Sequence, residues 1–209
     1  GIAGGWGGTR VTSAFVGKFA DPSGATDTRA QFYTSGQSLQ IVDIGQFTNG
    51  YAIKKFSNRT IPDGPSASGV PDFVDTDFPM FRLADAKLML AEAFVRGGSG
   101  TDATTATQHL NDVIRRAYNG STSYDHSTLS AGSSSDLSDL LDERARELYW
   151  EGHRRTDLIR YGQFSNGSYM WPWKGNVPGG AAVPSFRNLF PIPSTDLSAN
   201  PTLKQNTGY

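Results

Sequence analysis

Cysteine is absent from all 209 residues, which excludes disulfide stapling, thiolate metal sites and a cysteine nucleophile. A charge excess is absent too. Nineteen Lys and Arg stand against 20 Asp and Glu, for a formal net charge of -1, so no long-range field recruits nucleic acid or an anionic lipid surface. No stretch approaches the roughly 18 to 20 apolar residues of a membrane helix, and Gly1 to Arg10 lacks the charged-then-apolar pattern of a signal peptide. The histidines are His109, His126 and His153, none at i, i+4 from another. A histidine metal site would need long-range assembly, and neither a metal nor another cofactor is expected. No GxSxG occurs, and GIAGGWGG lacks the GKS or GKT of a phosphate loop. Glycine, by contrast, is abundant, with 24 residues clustered in loops where about 7% is ordinary.

The chain changes character near residue 78. Residues 1–78 form a loop-rich region in which Leu39 to Ile44 and Tyr51 to Phe56 alternate like short strands, while Ile61 to Asp72 is loop chemistry. Residues 79–209 are helical, and the fold class is mainly α. Asp77 is placed to cap a helix with Pro79 in its first turn. Phe81, Ala84, Leu88, Ala91 and Val95 make one stripe and Leu83, Leu90 and Phe94 a second, so this helix must be sandwiched. Asp102 caps the next helix, where Ala106, Leu110, Val113 or Ile114, and Ala117 repeat until Asn119 and Gly120. A short glycine-rich turn joins the two into a hairpin of tetratricopeptide type. Ser121 to Ser135 reads as a surface linker. Asp136 to Glu151 is a third helix with Leu137, Leu141, Ala145, Leu148 and Gly152 inside and charges outside. There Glu143 can pair with Arg146, Arg144 with Glu147, and Glu151 with Arg154 or Arg155, at surface strength.

Three segments carry more than periodicity: FRLADAKLMLAEAFVRGG at Phe81 to Gly98, ERARELYWEGHRRTDLIRYG from Glu143, and LFPIPSTDLSANPTLKQNTGY from Leu189. In order and spacing they resemble the C-terminal region of the SusD/RagB family, nutrient-binding outer-membrane lipoproteins of Bacteroidetes. DTRAQFYT around Arg29 and GYAIKKFSN around Tyr51 are similar to its upstream part. The family's N-terminal half, with its lipidated cysteine, finds no counterpart, so the chain looks like the C-terminal part of a longer protein. The resemblance implies capture of an oligosaccharide or other nutrient at the cell surface. It also implies delivery to a SusC-like TonB-dependent transporter, membrane attachment through an upstream lipid anchor, and no catalysis.

The residues themselves leave several chemistries to weigh. Glu143, Glu147 and Glu151 recur every fourth residue, but each has arginine neighbours that hold a carboxylate ionised, the opposite of what a glycosidase acid needs. Asp72, Asp75 and Asp77 lack the pattern of a calcium loop. Sugar rings stack their C–H faces on flat aromatics, which directs attention to Trp6 among glycines, to Tyr33 with Arg29 and Gln31 nearby, and to Trp171. Trp6, Arg29, Tyr33 and Trp171 are therefore the expected ligand-binding set. Trp173 is expected to brace the fold, and Trp150, Tyr149 and Tyr161 to be core. The interleaved arginines of the third helix make a salt-bridged surface, not a nucleic-acid face. Two alternatives to glycan capture stand: a scaffold contacting the transporter without touching ligand, and a glycoside hydrolase.

Overall fold

The computed structural model describes residues 7–56, 58, 74 and 76–209. By its internal contacts the chain divides into two units, Gly1–Arg154 and Arg155–Tyr209.

Among the described residues, the first unit is built on four helices and a small sheet. Strands β1 (Arg10–Val11), β2 (Phe32–Tyr33) and β3 (Tyr51–Ile53) form an antiparallel sheet in the order β1-β3-β2, with α1 (Ser13–Val16) after the first strand. Leu39 to Ile44 is not a strand. That stretch is irregular because Asn49 Oδ1 accepts from the Val42 and Asp43 amides at 2.9 and 3.1 Å, taking donors that a ladder would need. Period-2 alternation sends Val11 and Phe32 inward. They meet Val16, Phe19, Ala30 and Tyr149 in an aromatic-rich core.

Helices α2 (Leu83–Val95) and α3 (Ala103–Ala117) form the expected hairpin, and α4 (Ser134–Leu148) packs on α2. Leu88, Ala91 and Val95 of α2 bury against Ala106, Leu110, Val113 and Ile114 of α3 and Leu140 of α4. Asp102 caps α3, accepting from the Thr105 amide at 2.7 Å. The fold is thus mainly α, with a tetratricopeptide-like hairpin, long loops and short strands.

Helix α2 starts, and helix α4 ends, differently from expectation. Helix α2 begins at Leu83, not near Asp77, and Phe81 and Leu83 are exposed. Arg82 stays extended (φ -133°, ψ 150°) because its guanidinium reaches across to α4. Helix α4 stops at Leu148, where Tyr149 turns extended and places its ring in the aromatic core. Trp150 is consequently exposed, at φ 67°, rather than core. Gly152 follows at φ 81° with open space about it, so backbone freedom and not close approach explains that glycine.

The segment between α3 and α4 is more than a surface linker. Leu129 is buried in the helical core. The Leu129 amide donates to Thr107 Oγ1 at 2.9 Å, the Gly132 amide to the Val95 carbonyl at 2.7 Å, and Arg115 pairs with Asp125. Backbone donors that would otherwise need water are satisfied from the helices.

The second unit carries α5 (Arg154–Arg160), which starts at the boundary and closes through Gly162 at φ 69°, then two 3₁₀ turns and α6 (Ser194–Ala199). Its Trp-rich loop is organised around Lys174, buried to 2% exposure. The ammonium donates to the carbonyls of Tyr169 (2.6 Å), Asn166 (3.0 Å) and Gln163 (3.4 Å) and lies 4.5 Å from the Trp171 ring.

Candidate functional site

Helix α4 is where the charge chemistry concentrates, and it is inside. Glu143, Arg144, Glu147 and Glu151 are all buried. Arg29 grips Asp27 with Nε and NH2 at 2.9 and 2.8 Å and reaches Glu143 at 2.5 Å and Glu147 at 3.4 Å. Arg82 holds Glu151 at 2.7 and 2.9 Å and Glu147 at 2.8 Å, while Arg116 takes the other Glu147 oxygen at 2.5 Å. Lys55 Nζ donates to Glu151 at 2.5 Å and to the Glu147 and Tyr149 carbonyls at 2.9 Å. Together Lys55 and Arg82 satisfy carbonyls that the end of α4 leaves open.

Expected pairings hold only in part. Glu143 does pair with Arg146, at 2.7 Å. Arg144 instead reaches Asp85 at 2.7 Å, and Glu151 turns to Lys55 and Arg82. The expected surface is therefore a buried network that ties residues 27–29, 55 and 82 to α4. Long-range partners displace short-range ones because the sheet and the start of α2 bring fixed cations to one helix face.

The titrations follow from this geometry. Burial opposes the charge of Glu151, but hydrogen bonds from Arg82 and Lys55 outweigh it and hold the carboxyl below its ordinary range. Burial likewise opposes Arg29, and bonds to Asp27 and Glu143 overcome it, raising its pKa. For Lys55 burial outweighs the bond and charge of Glu151 and its pKa falls, with repulsion from Arg82 adding to the fall. Burial pushes Tyr149 up to about 12; its hydroxyl donates to the Arg29 carbonyl at 2.6 Å.

The aromatic candidates lie in different surroundings. Trp6 falls outside the described residues. Tyr33 is half-buried on β2, opposite Ala52, and Ala52 is also the partner of Arg10. Alternation places Tyr33, Ala52 and Arg10 in one row on the face turned from the core. Arg10 donates to the carbonyls of Ile44 (3.0 Å), Gln46 and Asn49 (2.6 Å), which fixes a loop exposing Val42, Ile44 and Phe47. Arg29 sits next in sequence to this face but turns its guanidinium inward.

Trp171 belongs to the second unit. Its half-buried ring packs at 5.6 Å from Tyr169 and 6.4 Å from Phe164. Gly180, at φ 82°, lets the chain pass so close that a Cβ there would stand 2.5 Å from the Trp171 carbonyl oxygen. Trp173, half-buried at φ 69°, heads the 3₁₀ turn containing Lys174. Sequence reasoning missed Lys174 as the centre of this loop. Its only signal was a lysine flanked by indoles and glycine.

Comparison with known proteins adds what geometry does not. A model of the SusD family matches residues 5–209. The chain belongs to the SusD family. It is 38% identical over 189 residues to the starch-binding protein SusD of Bacteroides thetaiotaomicron, covering 88% of this chain and 31% of that protein. It is 33% identical over 179 residues to SusD-like protein P25 of Formosa agariphila, covering 83% and 32% respectively. The chain thus spans about a third of the length of these curated relatives. Among solved structures it is similar to B. fragilis NanU, with TM-score 0.47 and 22% identity over 91% of this chain and 46% of that one.

Proposed function

We propose that the intact protein captures a glycan or related nutrient at the outer cell surface and hands it uncut to a SusC-like TonB-dependent transporter. The observation that carries this reading is the 38% identity, across 88% of the chain, to a protein named for binding starch. Attachment through an upstream lipid anchor fits the reading. Among the described residues no helix is long and apolar enough to cross a membrane.

Binding without cleavage also suits the acids on and just after α4. Both oxygens of Glu143, Glu147 and Glu151 accept from arginine or lysine. A hydrolase requires a carboxyl able to give up a proton beside a second acid poised across the bond, and ion pairing removes these three from that work. No cofactor enters the scheme. Tyr33 and Trp171 supply ring faces, and Trp6 is proposed with them from its glycine setting. Arg29 serves the set by fixing the chain leading to Tyr33, since its own donors are spent on carboxylates.

A second reading has an observation in its favour: Arg29 faces inward and both described rings are half-buried, as in a region that braces the transporter contact while other residues touch ligand. A glycan panel presented to the full-length protein separates these readings. Retardation of a glycan in affinity electrophoresis, lost in Tyr33→Ala or Trp171→Ala, supports direct contact, and unchanged retardation in both supports bracing. Appearance of new reducing ends would establish the hydrolase instead.

A further inference from the structure

His126, Asp136 and Asp139 were unremarkable in sequence, ten and three residues apart. The fold brings one ligand atom from each within 4.8 Å of the others. Their placement is built from two sides. The backbone of His126 is clamped by Asn111 of α3, whose Oδ1 accepts from the His126 amide at 2.8 Å and whose Nδ2 donates to the His126 carbonyl at 3.1 Å. Asp136, nine-tenths buried, stands in the first turn of α4 and accepts from the Ser130 amide at 2.7 Å. Asp139 follows three residues later on the same helix face, with its side chain more than half exposed.

The imidazole then shows a specific mismatch. Its Nδ1 lies 2.8 Å from the Ser127 carbonyl oxygen, which can only accept, so Nδ1 carries the hydrogen. In a neutral ring this leaves a lone pair on Nε2, and Nε2 faces Asp139 Oδ2 at 3.1 Å. Two acceptors at that separation need a cation. A proton on Nε2 serves only the one Asp139 oxygen in contact with it, while Asp136 accepts from the Ser130 amide. A metal ion serves all three. A carbonyl-anchored Nδ1 that orients Nε2 is also the usual support of a metal-bound histidine.

We propose that His126, Asp136 and Asp139 bind a divalent transition metal ion that ties the segment between α3 and α4 to the first turns of α4. One nitrogen and two carboxylate ligands suit zinc or manganese, whereas calcium takes six to eight oxygens. Three protein ligands leave a coordination position open on the exposed Asp139 side for water.

The test uses tag-free full-length protein stripped with chelator and titrated calorimetrically with zinc chloride, with calcium chloride in a parallel arm. One equivalent of zinc is expected, weakened about 10- to 100-fold or more in His126→Ala and in Asp139→Asn. The second variant changes an exposed side chain and so retains the fold. Nitrogen-15 spectra should show the His126 Nε2 resonance moving on zinc addition while Nδ1 keeps its hydrogen. The proposal is overturned if wild type takes up no zinc, if the variants bind it as tightly, or if calcium binds as well as zinc. An Nε2 that is simply protonated against Asp139 and unmoved by zinc overturns it as well.

Discussion

Arg29 decides how the N-terminal loops meet α4, because one side chain satisfies Asp27, Glu143 and Glu147 away from water. Truncating it strands buried anions, and such losses cost about 3–5 kcal/mol. Arg29→Ala should therefore lower the midpoint of urea unfolding by that equivalent at unchanged m-value. A loss under about 1 kcal/mol would show that the cluster is solvated in solution. Lys174 plays the same part in the second unit with carbonyls as partners. Lys174→Met leaves three oxygens short of a donor, and about 1–3 kcal/mol of stability should go with it. Near-UV circular dichroism of the neighbouring indoles reports whether the Trp loop loosens first. Neither role was legible beforehand: Arg29 sits more than a hundred residues from Glu143, and a lysine between a tryptophan and a glycine looks like an ordinary exposed cation.

Among the elements, α3 was the most legible. Asp102 as its cap and the buried series Ala106, Leu110, Val113 and Ala117 follow from local rules alone. Helices α2 and α4 were recognised, but the start of α2 and the end of α4 were not, because Arg82 and Tyr149 leave helical geometry for partners that local sequence does not reveal. The charged face of α4 misled for the same reason. Nearby arginines offered adequate i, i+3 partners, and only the assembled sheet supplies the closer ones. Leu140 joins α4 to the hairpin and is fully buried. Leu140→Ala should cost about 2–5 kcal/mol through lost burial and a residual cavity. Hydrogen exchange should then speed in α2 and α4 together, while exchange confined to α4 would contradict their packing as one unit.

For the whole molecule, acid sensitivity follows from the network. Glu151 has a folded-state pKa below its unfolded value, so its contribution is present above the ordinary carboxylate range and is lost as pH falls through the lowered folded value. Stability should hold from neutral pH down to about 5 and decline below about 4.5, as followed by thermal melts across that range. A melting temperature that rose on acidification would contradict the ion-paired assignment. Family membership was legible from three segments between Phe81 and Tyr209, and the match to residues 5–209 extends it through nearly the whole chain. Ligand identity was not legible. Ring faces of tyrosine and tryptophan recognise the shape common to many sugars, and the hydroxyl pattern that separates one sugar from another is read by groups placed in three dimensions.

The account rests on aromatic rings that bind a sugar and leave its bonds intact. The most direct measurement is a calorimetric titration of full-length protein with an oligosaccharide of the glycan it binds in the panel, repeated for Tyr33→Ala and Trp171→Ala, with the sugar recovered afterwards for product analysis. A stacking contribution of about 0.5–1.5 kcal/mol per ring predicts affinity two- to tenfold weaker in each variant, with the oligosaccharide recovered whole. Equal affinity in wild type and both variants, or shortened sugar in the recovered sample, would contradict it.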